Sequence, residues 1–225
     1  VPSVRLRYFN SDGSLGELCG NATLCSTVLA VLAGLAPADT VHLLTDAGTV
    51  SARVDATGAP SIALSAVEPP TAEVLPAIAL APGERRMGFA LVGVPHTVIL
   101  VDDLEQVAVD VRGRVLRNHP HFAPAGTNVN WVWRHPDTGG WGYRTYERGV
   151  EGETLACGTG AVAAALLLHS WGLAGTTTTL RTRSGRHLAV DLVRERASGV
   201  EGGGWLPRLS GEGRVVFRGQ IETLG

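Results

Sequence analysis

The stretch Glu147-Arg148-Gly149-Val150-Glu151-Gly152-Glu153-Thr154-Leu155-Ala156-Cys157-Gly158-Thr159-Gly160-Ala161-Val162-Ala163-Ala164-Ala165 sets a cysteine directly ahead of strong helix formers. From Ala161 to Trp171 only His169 and Ser170 interrupt an otherwise apolar run, so the helix is expected to be wrapped by protein on nearly every side. Its N-terminus, entered through Gly158, Thr159 and Gly160, offers unpaired backbone N–H groups and the positive end of the helix dipole. A thiol held there is expected to ionise more easily, and an anionic group beside it is stabilised.

The same pattern occurs earlier in the chain. Laying Cys19 on Cys157, an offset of 157 − 19 = 138, puts Tyr8 on Tyr146, Gly20 on Gly158 and Gly34-Leu35-Ala36 on Gly172-Leu173-Ala174, with no gap. Each copy runs apolar between these anchors and is followed by threonine- and valine-containing segments that read as strands. A match held at one offset points to an internal duplication. Two like halves, each presenting a cysteine at a helix N-terminus, can then face one another across a cleft.

Composition narrows the function classes. A chain of 225 residues with 44% hydrophobic residues allows one large domain or two small ones with an ample core. The net charge of −2 leaves no basic footprint for nucleic acid, so none is expected as partner. No apolar stretch is long enough to span a bilayer and no signal peptide is read at Val1; no membrane partner and a cytoplasmic location are expected. Three cysteines argue against a disulfide framework and for reactive thiols. All 19 basic residues are arginine, so this chain has no lysine with which to hold pyridoxal phosphate as an internal aldimine.

Strands are read at 4–9, 41–45, 49–55, 62–67, 87–92, 97–101, 128–134, 141–146, 177–182, 187–193 and 214–221. Helices are read at 20–35 and near 104–116, the latter with Leu104, Val107, Val111 and Val115 spaced for one buried face. Pro69, Pro70, Pro76 and Pro82 punctuate the stretch between halves. The expected organisation is therefore a first half over 1–70, a second over 71–212, and a C-terminal strand over 213–225 that returns to the first half. The fold class is α/β (α+β): two pseudo-symmetric halves, each an antiparallel curled sheet or barrel around a central apolar helix.

Two thiols suit one kind of chemistry. A thiolate on one side of a carbon can remove its proton while a thiol on the other side returns one, which inverts the centre without cofactor or metal. The carbanion spreads its charge into an adjacent carboxylate, and helix N-termini aimed at that carboxylate supply preorganised N–H donors. Other residues read more plainly. Cys25 is expected to be a small core residue. His119-Pro120-His121 has no third ligand nearby, so no metal is expected. Trp131, Trp133, Trp141 and Tyr143 are expected to be cross-strand packing or a subunit contact. Gly202, Gly203 and Gly204 lack the following helix and Lys-Ser/Thr pair of a phosphate loop.

Phe9-Asn10-Ser11-Asp12-Gly13-Ser14, Cys19-Gly20-Asn21, Pro95-His96, Gly126-Thr127-Asn128-Val129-Asn130, Glu147-Arg148-Gly149 and Glu153-Thr154-Leu155-Ala156-Cys157-Gly158-Thr159-Gly160 together resemble the signature segments of the diaminopimelate epimerase family, in the family's order and across nearly the whole chain. The resemblance implies a pseudo-symmetric two-domain fold, a homodimer, and interconversion of LL- and meso-diaminopimelate without a cofactor, on the route to lysine and peptidoglycan. It implies Cys19 and Cys157 as the acid/base pair, tuned by His96 and Glu147. Gly20, Asn21, Gly158 and Thr159 would bind the α-carboxylate, while Asn10, Asn128 and Arg148, with Glu147 beside them, would hold the rest of the substrate. Four features depart from the family pattern, one of them a Glu147 to Cys157 spacing one residue longer than in many relatives. Val94 replaces an asparagine before Pro-His, Ala22-Thr23-Leu24 replaces Gly-Ala-Arg, and the family's opening segment, with a further asparagine and glutamine, has no counterpart in these 225 residues. Val94 keeps open a second reading, a cofactor-independent racemase or isomerase of another amino acid on the same fold. A third is a non-catalytic relative, which would have no need of two thiols.

Overall fold

A computed structural model describes residues 3–9, 13, 15–16, 19–73, 78–194 and 204–219. The chain divides into two compact units: residues 1–62 with 212–225, and residues 63–211. The N-terminal segment of the first unit thus ends at Ile62, ahead of the proline-rich stretch where the sequence suggests a boundary.

In the first unit, β1 (Ser3–Arg5) pairs parallel with β4 (Val41–Thr45), which continues antiparallel into β5 (Gly48–Val54) and β6 (Pro60–Ala63). β2 (Tyr8–Phe9) and β3 (Leu15–Gly16) form a separate short ladder. The single strand read at 4–9 is therefore two, broken at Leu6 and Arg7. Helix α1 (Gly20–Leu32) packs on β4 and β5. It buries Thr23, Leu24, Thr27 and Ala30 on one face, while Cys25, Leu29, Leu32 and Leu35 are exposed. Two expectations are corrected here: this helix is not wrapped on every side, and Cys25 is not in the core. The incoming C-terminal segment passes close by, so that a Cβ on Gly213 would stand 2.8 Å from a Val28 methyl. That segment, over 213–219, forms no strand; the rest of the strand read at 214–221 lies outside the described residues.

The second unit carries β7 (Glu84–Val92), β8 (Val94–Val101), β9 (Asn128–Arg134), β10 (Trp141–Glu147), β11 (Gly152–Thr154), β12 (Thr177–Arg181), β13 (His187–Arg194) and β14 (Trp205–Ser210). Their order is β14-β13-β12-β10-β9-β8-β7, with β11 also on β10. The sheets are mixed rather than wholly antiparallel as expected: β1 with β4, β8 with β9 and β10 with β12 run parallel. The reason lies in the connections, since α1, α2 or α3 lies between the members of each parallel pair and supplies the crossover that parallel strands need.

Helix α2 spans Val109–Arg117, and its buried face is Val109, Gly113 and Leu116. The face read from Leu104, Val107, Val111 and Val115 is corrected, because Val111 and Val115 point to solvent and the helix begins only at Val109. Gly113 decides the orientation: a Cβ there would fall 2.5 Å from the Tyr146 ring, so only glycine lets α2 close on β10. Beneath α2 lies a core of Met87, Ile99, Leu104, Leu116, Val129, Trp131 and Tyr146. Helix α3 (Gly158–Ser170) lies against β7, β8, β9 and β13 and is buried from Gly160 through Leu168.

The 138-residue offset survives as geometry within each unit. Cys19 and Cys157 are the N-caps of α1 and α3 with φ/ψ of −129°/117° and −125°/116°. Gly34 and Gly172 end the two helices at φ +69° and +71°, a left-handed turn that favours glycine. The parallel pairs match as well: Ser3 with His42 and Val4 with Leu43, against Trp141 with Leu180 and Gly142 with Arg181.

Candidate active site

The site in the second unit is built by strand alternation. His96 pairs with Asn128 and Val98 with Asn130 across β8 and β9, while Asn130 pairs with Thr145 across β9 and β10. Successive side chains point to opposite faces, so His96, Asn128, Asn130, Tyr143 and Thr145 share the face toward α3, and Val129, Trp131 and Tyr146 fill the core under α2. Trp131 and Tyr143 are thus packing groups on opposite faces of one hairpin. Arg144 fixes that hairpin: its guanidinium grips Glu153 at 2.6 and 2.7 Å and donates to the carbonyls of Leu104 and Val107. Bidentate pairing of this kind sets geometry as well as energy. Here it holds β10 to β11, and so sets the turn that presents Glu147 and Arg148.

Cys157 is buried at the start of α3. Its sulfur lies 3.5 Å from the Thr159 hydroxyl, and the Gly160 N–H also points to it. Burial nonetheless pushes the thiol from its ordinary 9.0 up to about 12, with the Glu147 carboxylate adding to the effect against Thr159 and Gly160. The expected easier ionisation is therefore reversed, because desolvation and a neighbouring negative charge outweigh the helix N–H groups. Cys157 stands here as a thiol. Glu147 in turn accepts from the Thr154 hydroxyl.

His96 is fully buried, with Nε2 3.1 Å from the Thr159 hydroxyl and Nδ1 3.3 Å from the Asn130 amide nitrogen. Burial, then the Arg148 charge, lower it from 6.5 to about 3, so it is neutral at physiological pH. Asn128 accepts from the Arg148 N–H at 2.7 Å and donates to the Pro95 carbonyl. The Arg148 guanidinium donates to the Ala125 carbonyl. Seven residues singled out from the sequence, His96, Asn128, Glu147, Arg148, Cys157, Gly158 and Thr159, therefore meet around one helix N-terminus.

In the first unit, Cys19 is half-buried at its own helix N-terminus, followed by Gly20 and Asn21. Its carbonyl accepts from the Thr23 N–H and hydroxyl at 2.9 and 2.8 Å. Asn10 lies outside the described residues. His119 serves its own turn, Nδ1 accepting from the His121 N–H at 3.2 Å.

Sequence reasoning gave no role to Asn130 or Thr145, read Tyr143 as packing or a subunit contact, and read Gly160 only as part of the helix entry. Asn130 Oδ1 accepts from the Tyr143 and Thr145 hydroxyls, both at 2.9 Å, and Tyr143 also reaches the Cys157 carbonyl at 3.1 Å. A Cβ on Gly160 would lie 2.3 Å from both Asn130 Oδ1 and the Tyr143 oxygen, so a bare helix backbone is what allows α3 to approach this cluster. The signal present in the sequence was the period of two in Asn128-Val129-Asn130, polar residues recurring on one face of an apolar strand.

The family model described as diaminopimelate epimerase matches residues 88–201. The chain is 53% identical to the diaminopimelate epimerase of Gemmatimonas aurantiaca, over 98% of this chain and 79% of that one. It is 38% identical to the diaminopimelate epimerase of a Hydrogenobaculum species, over 96% and 74%. Among solved structures, a probable proline racemase from Agrobacterium radiobacter superposes with a TM-score of 0.68 at 21% identity, over 98% of this chain and 73% of that one, a likeness of fold.

Proposed function

The chain belongs to the diaminopimelate epimerase family, and on that premise we propose that it interconverts LL- and meso-diaminopimelate by a two-cysteine acid/base mechanism. It is an isomerase acting on an amino acid. The observation that carries the reading is Cys157 as N-cap of a buried helix, with the Thr159 hydroxyl 3.5 Å from its sulfur, and Cys19 as N-cap of its repeat with nearly the same backbone angles.

In the proposed reaction Cys19, as thiolate, takes the α-proton and Cys157, as thiol, delivers one to the opposite face; the reverse direction exchanges their roles. The S–H bond of Cys157 breaks as the new C–H bond forms, and the charge left on sulfur meets the Thr159 hydroxyl and Gly160 N–H. The α-carboxylate is bound by the N–H groups at Gly20-Asn21 and Gly158-Thr159, where helix dipoles favour an anion that becomes more electron-rich in the transition state. Asn128 and Arg148 hold the distal amino-acid end, together with Asn10. His96 and Glu147 adjust the sulfur from beside it. Pathway placement in lysine and peptidoglycan precursor synthesis, cytoplasmic location and a homodimer belong to the same proposal, by family.

The second reading, racemisation of another amino acid, rests on Val94, which offers no side-chain amide. An enzyme site rejects an analogue strongly only where buried polar groups would go unpaired. A coupled assay of LL-diaminopimelate against single-ended amino acids tests the choice: a specificity constant highest for diaminopimelate is expected, and a higher one for alanine, lysine or proline would transfer the case to the alternative.

A further inference from the structure

We propose that Asn130 is a positioning residue for the reaction: it fixes which ring nitrogen of His96 carries the proton, and through Thr159 it turns a hydroxyl hydrogen toward Cys157. The first link is the orientation of the Asn130 amide. Its nitrogen lies 3.0 Å from the Thr97 carbonyl oxygen, which can only accept, while its oxygen receives the Tyr143 and Thr145 hydroxyls. The amide cannot be turned over without placing oxygen on oxygen.

The second hydrogen of that nitrogen then faces His96 Nδ1 at 3.3 Å. A nitrogen facing a donor must present its lone pair, and a neutral imidazole with a lone pair at Nδ1 carries its hydrogen at Nε2. Nε2 is 3.1 Å from Thr159 Oγ1 and therefore donates to it. A hydroxyl has one hydrogen. With His96 donating into the Thr159 oxygen, that hydrogen is free for the other neighbour, the Cys157 sulfur at 3.5 Å. Were His96 protonated at Nδ1 instead, Nε2 would accept, the hydroxyl would turn to the ring, and the sulfur would keep only the Gly160 N–H. From Asn130, whose amide also donates to the Thr97 carbonyl, donation thus runs one way through His96 and Thr159 to Cys157.

This rests on the acid/base reading of Cys157 for its kinetic consequence alone; the tautomer is a property of the substrate-free protein. The first test is nitrogen NMR of the 225-residue chain labelled at histidine. His96 is expected as the neutral Nε2–H tautomer near neutral pH, and an Nδ1–H tautomer or an imidazolium there would overturn the proposal. The second test is Asn130→Asp, whose carboxylate can only accept and so draws the ring hydrogen to Nδ1. The tautomer should invert and kcat should fall about tenfold to a hundredfold, the worth of one hydrogen bond to a charged group, with KM little changed. Thr159→Val should lose the same factor and Thr159→Ser should keep most of the rate. Adding Thr159→Val to Asn130→Asp should cost little more. An inverted tautomer with unchanged kcat, or fully multiplicative losses in the double variant, would sink the relay. If the wild-type chain does not turn over diaminopimelate, the activity reading fails while the labelled-histidine result still decides the tautomer.

Discussion

Helices α1 and α3 each run 13 residues behind a cysteine N-cap, yet Leu29 is 59% exposed while Leu167, its counterpart 138 positions later, is fully buried. The caps, lengths and terminating glycines agree because they are decided within a few residues of chain. Burial differs because it is decided by neighbours. β7, β8 and β9 lie on α3, and Leu167 sits on β7 so closely that a Cβ at Gly88 would fall 2.4 Å from it. Among the described residues of the first unit, no strand stands in that place for α1. Local sequence made two like helices, and the company each keeps made one a core and the other a half-covered surface.

The comparison is broken most forcefully at the cysteines. Cys19→Ala and Cys157→Ala should each lower the rate of epimerisation about a thousandfold, the scale of a lost general acid or base, while exposed Cys25→Ala keeps most activity. Near wild-type turnover by either variant would show that the halves do not share the chemistry. Next come the matched leucines. Leu167→Ala should destabilise by about 3 kcal/mol and Leu29→Ala by no more than about 0.5 kcal/mol, read as shifts in the urea midpoint. Equal shifts would mean that α1 is covered in solution.

A finer contrast lies at Gly160 and its counterpart Ala22. Gly160→Ala forces a methyl into the Asn130 and Tyr143 oxygens and should cost about 2 kcal/mol, whereas Ala22→Gly should cost about 0.5–1 kcal/mol through chain entropy. Melting curves of the two variants measure the difference.

The smallest effect per step is acid sensitivity, which belongs to the second unit. His96 stays neutral in the fold down to about 3 but takes a proton near 6.5 when unfolded. The stability due to its neutral burial is complete above 6.5 and is lost as pH falls through that interval, by at most about 1.4 kcal/mol per pH unit for one proton. Cys157 acts at the other end. Held as thiol to about 12 against 9.0, it contributes stability below 9.0 that is lost as pH rises toward 12. Urea midpoints of His96→Gln should vary less between about pH 4 and pH 7 than those of the parent; an unchanged acid limb would place the titrating group elsewhere.

What was legible in the sequence follows the same division. The repeat, both helix starts and the hairpin of β9 and β10 could be read, because glycine, cysteine and alternating side chains mark them locally. Cys157, His96, Asn128, Glu147, Arg148 and Thr159 could be named, because their motifs lie in short continuous segments. The buried face of α2 could not, because Gly113 offers no apolar signal and is chosen for what the Tyr146 ring leaves no room for. The parallel pairings, the exposure of Leu29 and the raised Cys157 thiol were equally out of reach, since each depends on residues far away in the chain. Asn130 was visible as a letter and invisible as a hub, for its partners come from β8, β10 and, through His96, from α3.

A hydrogen seated on the Cys157 sulfur is better shielded from bulk water than one on half-buried Cys19. Isotope should therefore enter the two products unequally. On the proposed two-cysteine mechanism, molecules protonated from Cys157 in heavy water should acquire deuterium late, because the sulfur hands back hydrogen taken from earlier substrate, and those protonated from Cys19 should acquire it early. The buried helix proposed to hold the acid would in this way also give the enzyme a short memory of the last proton it handled.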